Sequence, residues 1–300
     1  MRRRVLLGAL AVIVAALAAL ALSPALREDA WSLALRDNAP VAPFQIAPGL
    51  DYVGSSDIGV YALTTRDGII LIDAGYESTA ARIPANLRAL GLDPANVRII
   101  LNTHAHFDHA AGIAAMQRLT GAQVYASPGD APELRCGGRG NFFLGDWMTF
   151  PLVRVDHVLH DGEQVRLGER VLTAHFTPGH TKGCTSWTFP IVVDGQERQA
   201  LIICSLSTLR YRLVDNRDYP NIAADYEHTY SVLHHLPCEV FLGAHAKWFD
   251  MDRKRRALAA GRSPNPFVDP IGCRTHIDTR EAAFFRELER QGGHPPSPWP

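Results

Sequence analysis

The chain has 300 residues, enough for one large domain or two small ones. Apolar residues make up 47% of the chain and charged residues 20%, as in an ordinary globular protein with an ample core. The formal net charge is −1, and the basic run at 253–256 is typical of a solvated helix face. The composition therefore indicates no nucleic-acid partner.

The N-terminal segment departs from this composition. Three arginines precede 18 uncharged and mostly apolar residues, from Val5 to Leu22. A charged start, an apolar stretch and the small-residue cleavage site Ala19-Leu20-Ala21 are typical of a secretory signal peptide. The apolar stretch is also close to the length that spans a bilayer, so an uncleaved inner-membrane anchor over residues 1–22 is the alternative. In both cases we expect export to the periplasm.

We expect the rest of the chain to consist of an N-terminal arm over residues 23–44, one folded domain over 45–291 and a disordered tail over 292–300. Within the domain, strand-like runs and helical patterns follow one another in the order strands, helix, strand, helix, and this order occurs twice. It predicts an α/β fold of two mixed sheets with outer helices rather than a doubly wound parallel sheet.

Turn and capping signals set the limits of these elements. The turns 66–68 and 194–195 predict hairpins, and a capping-box pattern predicts that the last helix begins at Asp278. The predicted strands cover 50–53, 60–64, 69–73, 97–101, 123–126, 164–167, 171–176, 185–193, 199–204 and 240–242, and the main predicted helices cover 77–90, 110–119 and 222–236.

A Gly-rich segment over residues 127–150 carries no clear periodicity and is predicted to be an irregular loop. Long loops in compact domains are usually functional, often as a lid or a pocket wall. Phe142, Phe143 and Trp147 in this loop could line a pocket, and simple packing is the alternative.

The most informative segment is 104–109, HAHFDH, in which four metal-binding side chains fall within six positions. Imidazole and carboxylate are the ligand types of catalytic zinc. The segment follows the predicted strand 97–101 and precedes a helical stretch, so it lies on a loop at a strand end. We interpret it as a metal site, the alternative being a polar loop that is merely rich in histidine. The candidate ligands are His104, His106, Asp108 and His109.

Two more histidines, His180 and His245, each follow a predicted strand. A small residue, Gly179 or Ala244, precedes each of them and lets the backbone approach closely. Together with the cluster they make six candidate ligands. This number is enough for two zinc ions with three protein ligands each and an open position on both, which is the arrangement of a catalytic site.

These residues resemble the metallo-β-lactamase superfamily. The resemblance is carried by the HxHxDH motif, by LIDAG at 71–75 before it, and by TPGH at 177–180 and His245 after it. It extends from residue 45 to about residue 290. It implies a four-layer αββα sandwich, the metallo-β-lactamase fold, with a dizinc site at one edge.

Further details resemble the class B β-lactamases of the third subclass. His109 is similar to a second-site ligand of that subclass, and the segments 177–187, 205–207 and 265–270 are similar to its signatures. The resemblance implies that one zinc is bound by His104, His106 and His180, and the other by Asp108, His109 and His245.

The same resemblance implies roles for residues around the metals. Asp108 would also orient the attacking hydroxide, and Asp73 would fix the ligand loop. Tyr211 is interpreted either as an oxyanion donor or as a packed loop aromatic. The substrate-binding candidates are Ser205, Ser207 and Phe143.

The chain has five cysteines, and an exported domain would lie in an oxidising compartment, where disulfides form. The resemblance implies a disulfide between Cys238 and Cys273, and a loop of about 35 residues closed in this way gains about 3–4 kcal/mol. We interpret Cys136, Cys184 and Cys204 as buried free thiols. The alternatives are that Cys204 is a metal ligand, and that Cys184 and Cys204 lie close together as a redox-sensitive pair.

The expected function is zinc-dependent hydrolysis of the β-lactam amide bond of penicillins, cephalosporins and carbapenems by a zinc-bound hydroxide, which confers antibiotic resistance. We expect two Zn²⁺ ions and a small-molecule substrate as partners, and no nucleic acid. We expect membrane contact only if the N-terminal segment is uncleaved. The protein is expected to be a monomer. A hydrolase of the same fold that acts on an ester, lactone or thioester is the first alternative. Such relatives carry a bridging aspartate on the strand that here ends in Ile203-Cys204-Ser205, and the absence of a carboxylate there counts against this alternative. An exported zinc-binding protein without turnover is the second alternative.

Overall fold

The computed structural model describes residues 38–294. The predicted signal or anchor segment, 1–22, lies outside the described residues, as do most of the predicted arm and residues 295–300 of the predicted tail. Among residues 38–294, no helix combines the length and the apolar character needed to cross a membrane.

Twelve strands form two mixed sheets in the described part of the chain. In chain order they are β1 Phe44–Ala47, β2 Leu50–Tyr52, β3 Tyr61–Thr65, β4 Gly68–Ile72, β5 Val97–Leu101, β6 Gln123–Ala126, β7 His157–Val158, β8 Gln164–Leu167, β9 Arg170–Phe176, β10 Thr185–Val193, β11 Gln196–Ile203 and β12 Val240–Gly243.

The first sheet has the order β1-β2-β3-β4-β5-β6-β7, and the second has the order β12-β11-β10-β9-β8. Strands β1 to β4 are antiparallel to one another, whereas β4 to β7 are parallel. The second sheet is antiparallel except for the parallel pair β11 and β12. The prediction of two mixed sheets with outer helices is confirmed.

The helices lie outside the sheets, and two short 3₁₀ turns precede β5 and follow β12, at Pro94–Asn96 and Ala246–Phe249. The α-helices of residues 38–294 are α1 Glu77–Ala80, α2 Ile83–Ala89, α3 Phe107–Ala110, α4 Ile113–Thr120, α5 Ala131–Cys136, α6 Ile222–His235, α7 Met251–Ala259 and α8 Pro270–Arg290.

Strand β4 shows how the sequence produces the layers. Its side chains alternate between the two faces of the sheet. Ile70 and Ile72 enter the core between the sheets, together with Trp187 of β10. Ile69 and Leu71 enter a second core, formed with residues of helices α2 and α4. Because both faces are covered, the strand is apolar throughout.

Three local predictions are wrong. The helix predicted over 77–90 is divided into α1 and α2, and Pro84 lies at the start of α2, where its missing N–H is tolerated. The predicted loop 127–150 contains helix α5. The last helix begins at Pro270 rather than Asp278, because Asp269 caps it by accepting a hydrogen bond from the Gly272 N–H.

The strands that lead to the candidate ligands end at one edge of the sandwich. Tyr61 of β3 joins the two sheets there, because its buried hydroxyl donates to the Gly243 carbonyl at 2.6 Å. The Thr185 N–H of the second sheet donates to the Thr103 carbonyl beyond the end of β5, at 2.8 Å. The Cys238–Cys273 disulfide ties the start of β12 to helix α8.

We expect Tyr61→Phe to lower the free energy of unfolding by about 1–3 kcal/mol, because the Gly243 carbonyl would be left buried without this donor. Guanidinium denaturation would measure the change. Tyr125→Phe is the matched control, since the Tyr125 hydroxyl contacts Gln123 at the surface, and it should change stability by less than about 0.5 kcal/mol. Equal effects of the two substitutions would contradict a bridging role for Tyr61.

Candidate metal centre

The six predicted ligands come together at the shared edge of the two sheets. The loop after β5 and the short helix α3 carry His104, His106, Asp108 and His109, and the loop after β9 carries His180. His245 comes after β12 and is separated from the strand by Ala244. β5 belongs to the first sheet and β12 to the second, and a bridge between Ile58 and His245 links the two sheets at this edge.

His104, His106 and His180 form the first cluster. Their ligand atoms lie within 4.8 Å of one another, and all three residues are buried. The rings meet nearly at right angles, with centroid distances of 4.6–5.0 Å. Three imidazoles that converge in this way are a familiar donor set for zinc.

Asp108, His109 and His245 form the second cluster. The Nε2 atom of His109 lies 3.3 Å from Oδ2 of Asp108 and 3.3 Å from Nε2 of His245. The third side of the triangle, from His245 Nε2 to Asp108 Oδ2, is 3.6 Å. Ligand atoms about 2.0–2.2 Å from a tetrahedral zinc ion are separated by about 3.3–3.6 Å, so this triangle has the size that zinc requires.

The buried nitrogens give an independent test of whether a metal fits. Nε2 of His104 and Nε2 of His106 are buried without a hydrogen-bond partner among the described residues. Burying a polar atom without a partner is costly, and a metal ion would satisfy such a nitrogen. His180 binds the Ser207 carbonyl through Nδ1 at 2.7 Å, which leaves Nε2 for a ligand. The donor set therefore fits zinc.

The electrostatics of the clusters also favour a cation. Burial and the neighbouring histidines lower the pKa of His104 and His180 well below the ordinary value, so both rings are neutral. Burial lowers the pKa of His106 to about 4. Burial also acts to lower the pKa of His109, but the carboxylates of Asp108 and Asp73 raise it to about 10. A metal cation would take the place of the positive charge that these carboxylates hold on His109.

Asp73 fixes the loop that follows β5, as predicted. Its Oδ1 accepts from the Thr103 N–H at 2.7 Å and from the Asn102 side chain at 3.1 Å. Its Oδ2 accepts from the Thr103 hydroxyl at 2.5 Å and lies 3.3 Å from Nδ1 of His109. One carboxylate therefore orients both the start of the ligand segment and one of its ligands.

Asp57 has the same role for His245. Its Oδ2 accepts from Nδ1 of His245 at 2.9 Å and pairs with Nζ of Lys247 at 2.7 Å. Burial acts to raise the pKa of Asp57, but hydrogen bonds from His245 and Lys247 lower it below the ordinary value. Because Asp57 occupies Nδ1, the Nε2 atom of His245 is directed to the cluster.

Asp130 joins the loops of the first cluster. Its Oδ2 accepts from the Ala105 N–H at 2.8 Å and from the Thr181 hydroxyl at 2.9 Å, and its Oδ1 accepts from the Gly183 N–H at 2.9 Å. Burial raises the pKa of Asp130 to about 6. The sequence analysis did not single out Asp57 or Asp130, since neither lies in a ligand motif.

Gly179, beside His180, has the close backbone approach that the sequence analysis expected. Its φ is +130°, and a Cβ atom at this position would lie 2.8 Å from the ring of Tyr226. Tyr226 in turn donates to the Ser207 carbonyl at 2.7 Å, the same oxygen that holds His180. A side chain at position 179 would therefore displace the support of a ligand.

The predicted substrate residues surround the first cluster. The Tyr211 hydroxyl donates to the His180 carbonyl at 2.9 Å and is buried, which favours the packing interpretation over the oxyanion donor. Phe143 is 39% exposed and packs edge-on against Tyr211 at 4.8 Å between centroids. Ser207 is partly exposed, whereas Ser205 is 1% exposed.

The loop that carries Phe143 is held in place by the side chain of Asn141. The Oδ1 atom of Asn141 accepts from the N–H groups of Phe143 and Leu144 at 2.9 and 2.7 Å. Its Nδ2 donates to Glu133 of helix α5 at 2.6 Å. Burial and the neighbouring Asp130 raise the pKa of Glu133 to about 7.

The interpretation of the remaining cysteines as free thiols is wrong for two of them. Cys184 and Cys204 form a disulfide, because the β10–β11 hairpin brings its two ends together. Cys204 is therefore unavailable as a metal ligand in this form. Cys136 is free and only partly buried.

Comparison with known proteins agrees with this geometry. The sequence model of the metallo-β-lactamase superfamily matches residues 52–192. Native FEZ-1 metallo-β-lactamase of Legionella gormanii is 42% identical, with a TM-score of 0.83 over 86% of this chain and 99% of that one. The chain belongs to the metallo-β-lactamase superfamily. BJP-1, a subclass B3 metallo-β-lactamase of Bradyrhizobium japonicum, is 36% identical, with a TM-score of 0.80 over 85% of this chain and 96% of that one.

Curated relatives match this chain over shorter stretches. A hydroxyacylglutathione hydrolase of Anaeromyxobacter dehalogenans is 33% identical over 127 residues, 41% of this chain and 38% of that protein. An acyl-coenzyme A thioesterase of Gallus gallus is 32% identical over 136 residues, 38% of this chain and 47% of that protein. The chain thus spans less than half the length of these relatives. It is a metal-binding hydrolase of the metallo-β-lactamase superfamily.

We expect Asp57→Ala to weaken metal binding at the second cluster by about 10- to 100-fold, because His245 would lose the partner that orients its ring. Competition with a chelator, analysed as two sites, would measure the loss, and the first cluster should keep its affinity. Asp57→Asn keeps an acceptor for Nδ1 and should show a smaller loss. Equal affinities of wild type and Asp57→Ala would rule out this role.

Proposed function

We propose that this protein is a zinc-dependent β-lactamase of class B, third subclass, with two metal sites. The observation that carries the proposal is the second cluster, in which His109 Nε2 is equidistant from Asp108 and His245. The first subclass binds its second zinc through a cysteine near the position of Cys204, and here Cys204 is bonded to Cys184. The FEZ-1 and BJP-1 enzymes, which match this chain over nearly their whole length, support the same assignment.

In this proposal His104, His106 and His180 hold one zinc ion, and Asp108, His109 and His245 hold the other. Zinc, when bound, supplies an activated water at neutral pH and polarises a carbonyl oxygen. Asp108 is suited to orient the attacking water, since its side chain is 16% exposed while that of His109 is fully buried. A carboxylate at this point accepts a hydrogen bond from the water and directs its lone pair towards the lactam carbonyl.

In this proposal the substrate is bound by residues near His180, namely Ser205, Ser207 and Phe143. Ser207 is partly exposed, and its Oγ accepts from the Leu209 N–H at 3.4 Å, which leaves the hydroxyl proton able to donate to a substrate carboxylate. Ser205 is more deeply buried and supports Ser207 by accepting its N–H at 3.4 Å. Phe143 offers an exposed aromatic face to the apolar part of the substrate. No serine nucleophile is required, because water is the attacking group.

Thioester hydrolysis is the second candidate, favoured by the curated relatives. Thioesterase-like members of this superfamily carry a bridging aspartate on the strand that here ends in Ile203-Cys204-Ser205, where this chain has no carboxylate. The sulfur of Cys204 is bonded to Cys184, so this residue offers no carboxylate to the metals.

We expect His104→Ala to reduce nitrocefin hydrolysis to less than about a hundredth of wild type and to lower bound zinc towards one equivalent, since the first cluster would lose a ligand. Absorbance assays and metal analysis on the same sample would test both effects. His235→Ala is the matched control, because His235 is exposed on helix α6 and its Nδ1 binds the Ser231 carbonyl of its own helix at 2.7 Å. Full activity in His104→Ala would reject the metal assignment.

Steady-state assays with a cephalosporin, a carbapenem and a hydroxyacylglutathione thioester should distinguish the two candidates. We expect the two β-lactams to be hydrolysed with kcat/KM at least about 100-fold above that of the thioester, and a chelator to abolish the activity. Faster thioester hydrolysis would instead support the second candidate. Zinc binding without hydrolysis of any of the three substrates would contradict both candidates and indicate a zinc-binding protein without this activity.

A further inference from the structure

The Cys184–Cys204 disulfide lies directly behind the first cluster. Cys184 ends the loop that carries His180, Cys204 follows β11, and both residues are fully buried. The antiparallel register of β10 and β11, in which Trp187 faces Ile202, brings the two ends of the hairpin together. The bond therefore belongs to the loops that hold the metal-binding residues.

His104 is the neighbour of both sulfurs. A ring nitrogen of His104 and the two sulfur atoms all lie within 4.8 Å of one another. Sγ of Cys204 also lies 3.2 Å from the carbonyl oxygen of Thr103, the residue before His104. His104 is at the same time a member of the group with His106 and His180. One imidazole is thus shared by two possible sets of ligands.

The oxidation state of the cysteines decides which of the two sets can bind a metal ion. Thiolates bind zinc strongly, and two thiolates with one imidazole form a common zinc donor set that leaves a fourth position open. A disulfide sulfur carries no charge, whereas the metal ligand is the thiolate. Of these two sets, the histidine set is the one that can hold a metal in the oxidised protein.

We propose that reduction of the Cys184–Cys204 disulfide creates a third metal site, formed by the two thiolates and His104, which competes with the first cluster for His104. A dithiol delivers two electrons and two protons through a mixed disulfide, so that the S–S bond breaks and the dithiol itself becomes a disulfide. The two thiol protons are released when the metal binds.

Closure of the disulfide is then a condition for correct metal loading. A metal held by the two cysteines draws His104 away and leaves the first cluster with His106 and His180. Oxidation of the cysteines returns His104 to that cluster. The effect on turnover depends on the proposed function, whereas the existence of the third site does not.

Cobalt(II) is a suitable probe, because thiolate ligands give a strong charge-transfer absorption in the near ultraviolet and histidine ligands do not. Metal-free protein would be incubated with a dithiol, freed of the dithiol without air and titrated with cobalt. We expect the band in the reduced wild type, and its loss on reoxidation. Oxidised protein and reduced C184S/C204S should lack it. C238A/C273A removes the other disulfide and should retain the band.

Several results would overturn the proposal. These are a band of equal strength in C184S/C204S, the absence of a band although thiol titration shows both cysteines reduced, and a disulfide that resists the dithiol in the folded protein. X-ray absorption of reduced wild type tests for sulfur ligands directly, should the double variant fail to fold. A sulfur-ligated metal without any β-lactam hydrolysis would disprove the proposed function and leave the third site standing.

Discussion

The candidate site depends on the carboxylate of Asp73. This residue lies at the end of β4 with a φ of +58°, a conformation that non-glycine residues rarely adopt and that costs about 1–3 kcal/mol. The conformation directs the carboxylate to the neighbouring strand, where it binds the Thr103 N–H and reaches His109. A parallel strand pair thereby becomes a support for the ligand segment, and the local strain is offset by buried hydrogen bonds to a charged group.

Around this support the protein has to bring five imidazoles and a carboxylate together in a small volume, and four of the imidazoles are buried. The surrounding groups make this possible by engaging the ring nitrogens that face away from the clusters. Asp57 engages Nδ1 of His245, Asp73 lies beside Nδ1 of His109, and the Ser207 carbonyl accepts from Nδ1 of His180. The unpartnered Nε2 atoms of His104 and His106 show what the protein alone leaves unsatisfied, namely the positions that a cation would fill.

Much of the site could be predicted from the sequence, because its ligands lie in short motifs at strand ends. The segment 104–109 and the histidines that follow β9 and β12 were identified from local pattern alone. Asp57 and Asp130 were not, since each acts on a ligand distant in sequence and neither lies in a recognisable motif. The paired sheets followed from the order of elements. The end of helix α1 and the start of α8 depended on capping and packing, which periodicity does not reveal.

The loop that carries Phe143 has hydrogen bonds of its own, which do not involve the metal-binding residues. Asn141 fixes the backbone around Phe143 through Glu133 of helix α5, whereas the ligand loops are held by Asp57, Asp73 and Asp130. The two groups of residues nevertheless meet, because Asp130 directly precedes helix α5 and because Tyr211, on which Phe143 packs, donates to the His180 carbonyl. In the proposed function, substitutions in this loop can therefore change the range of substrates over evolutionary time only where Tyr211 keeps its hydrogen bond to the His180 carbonyl.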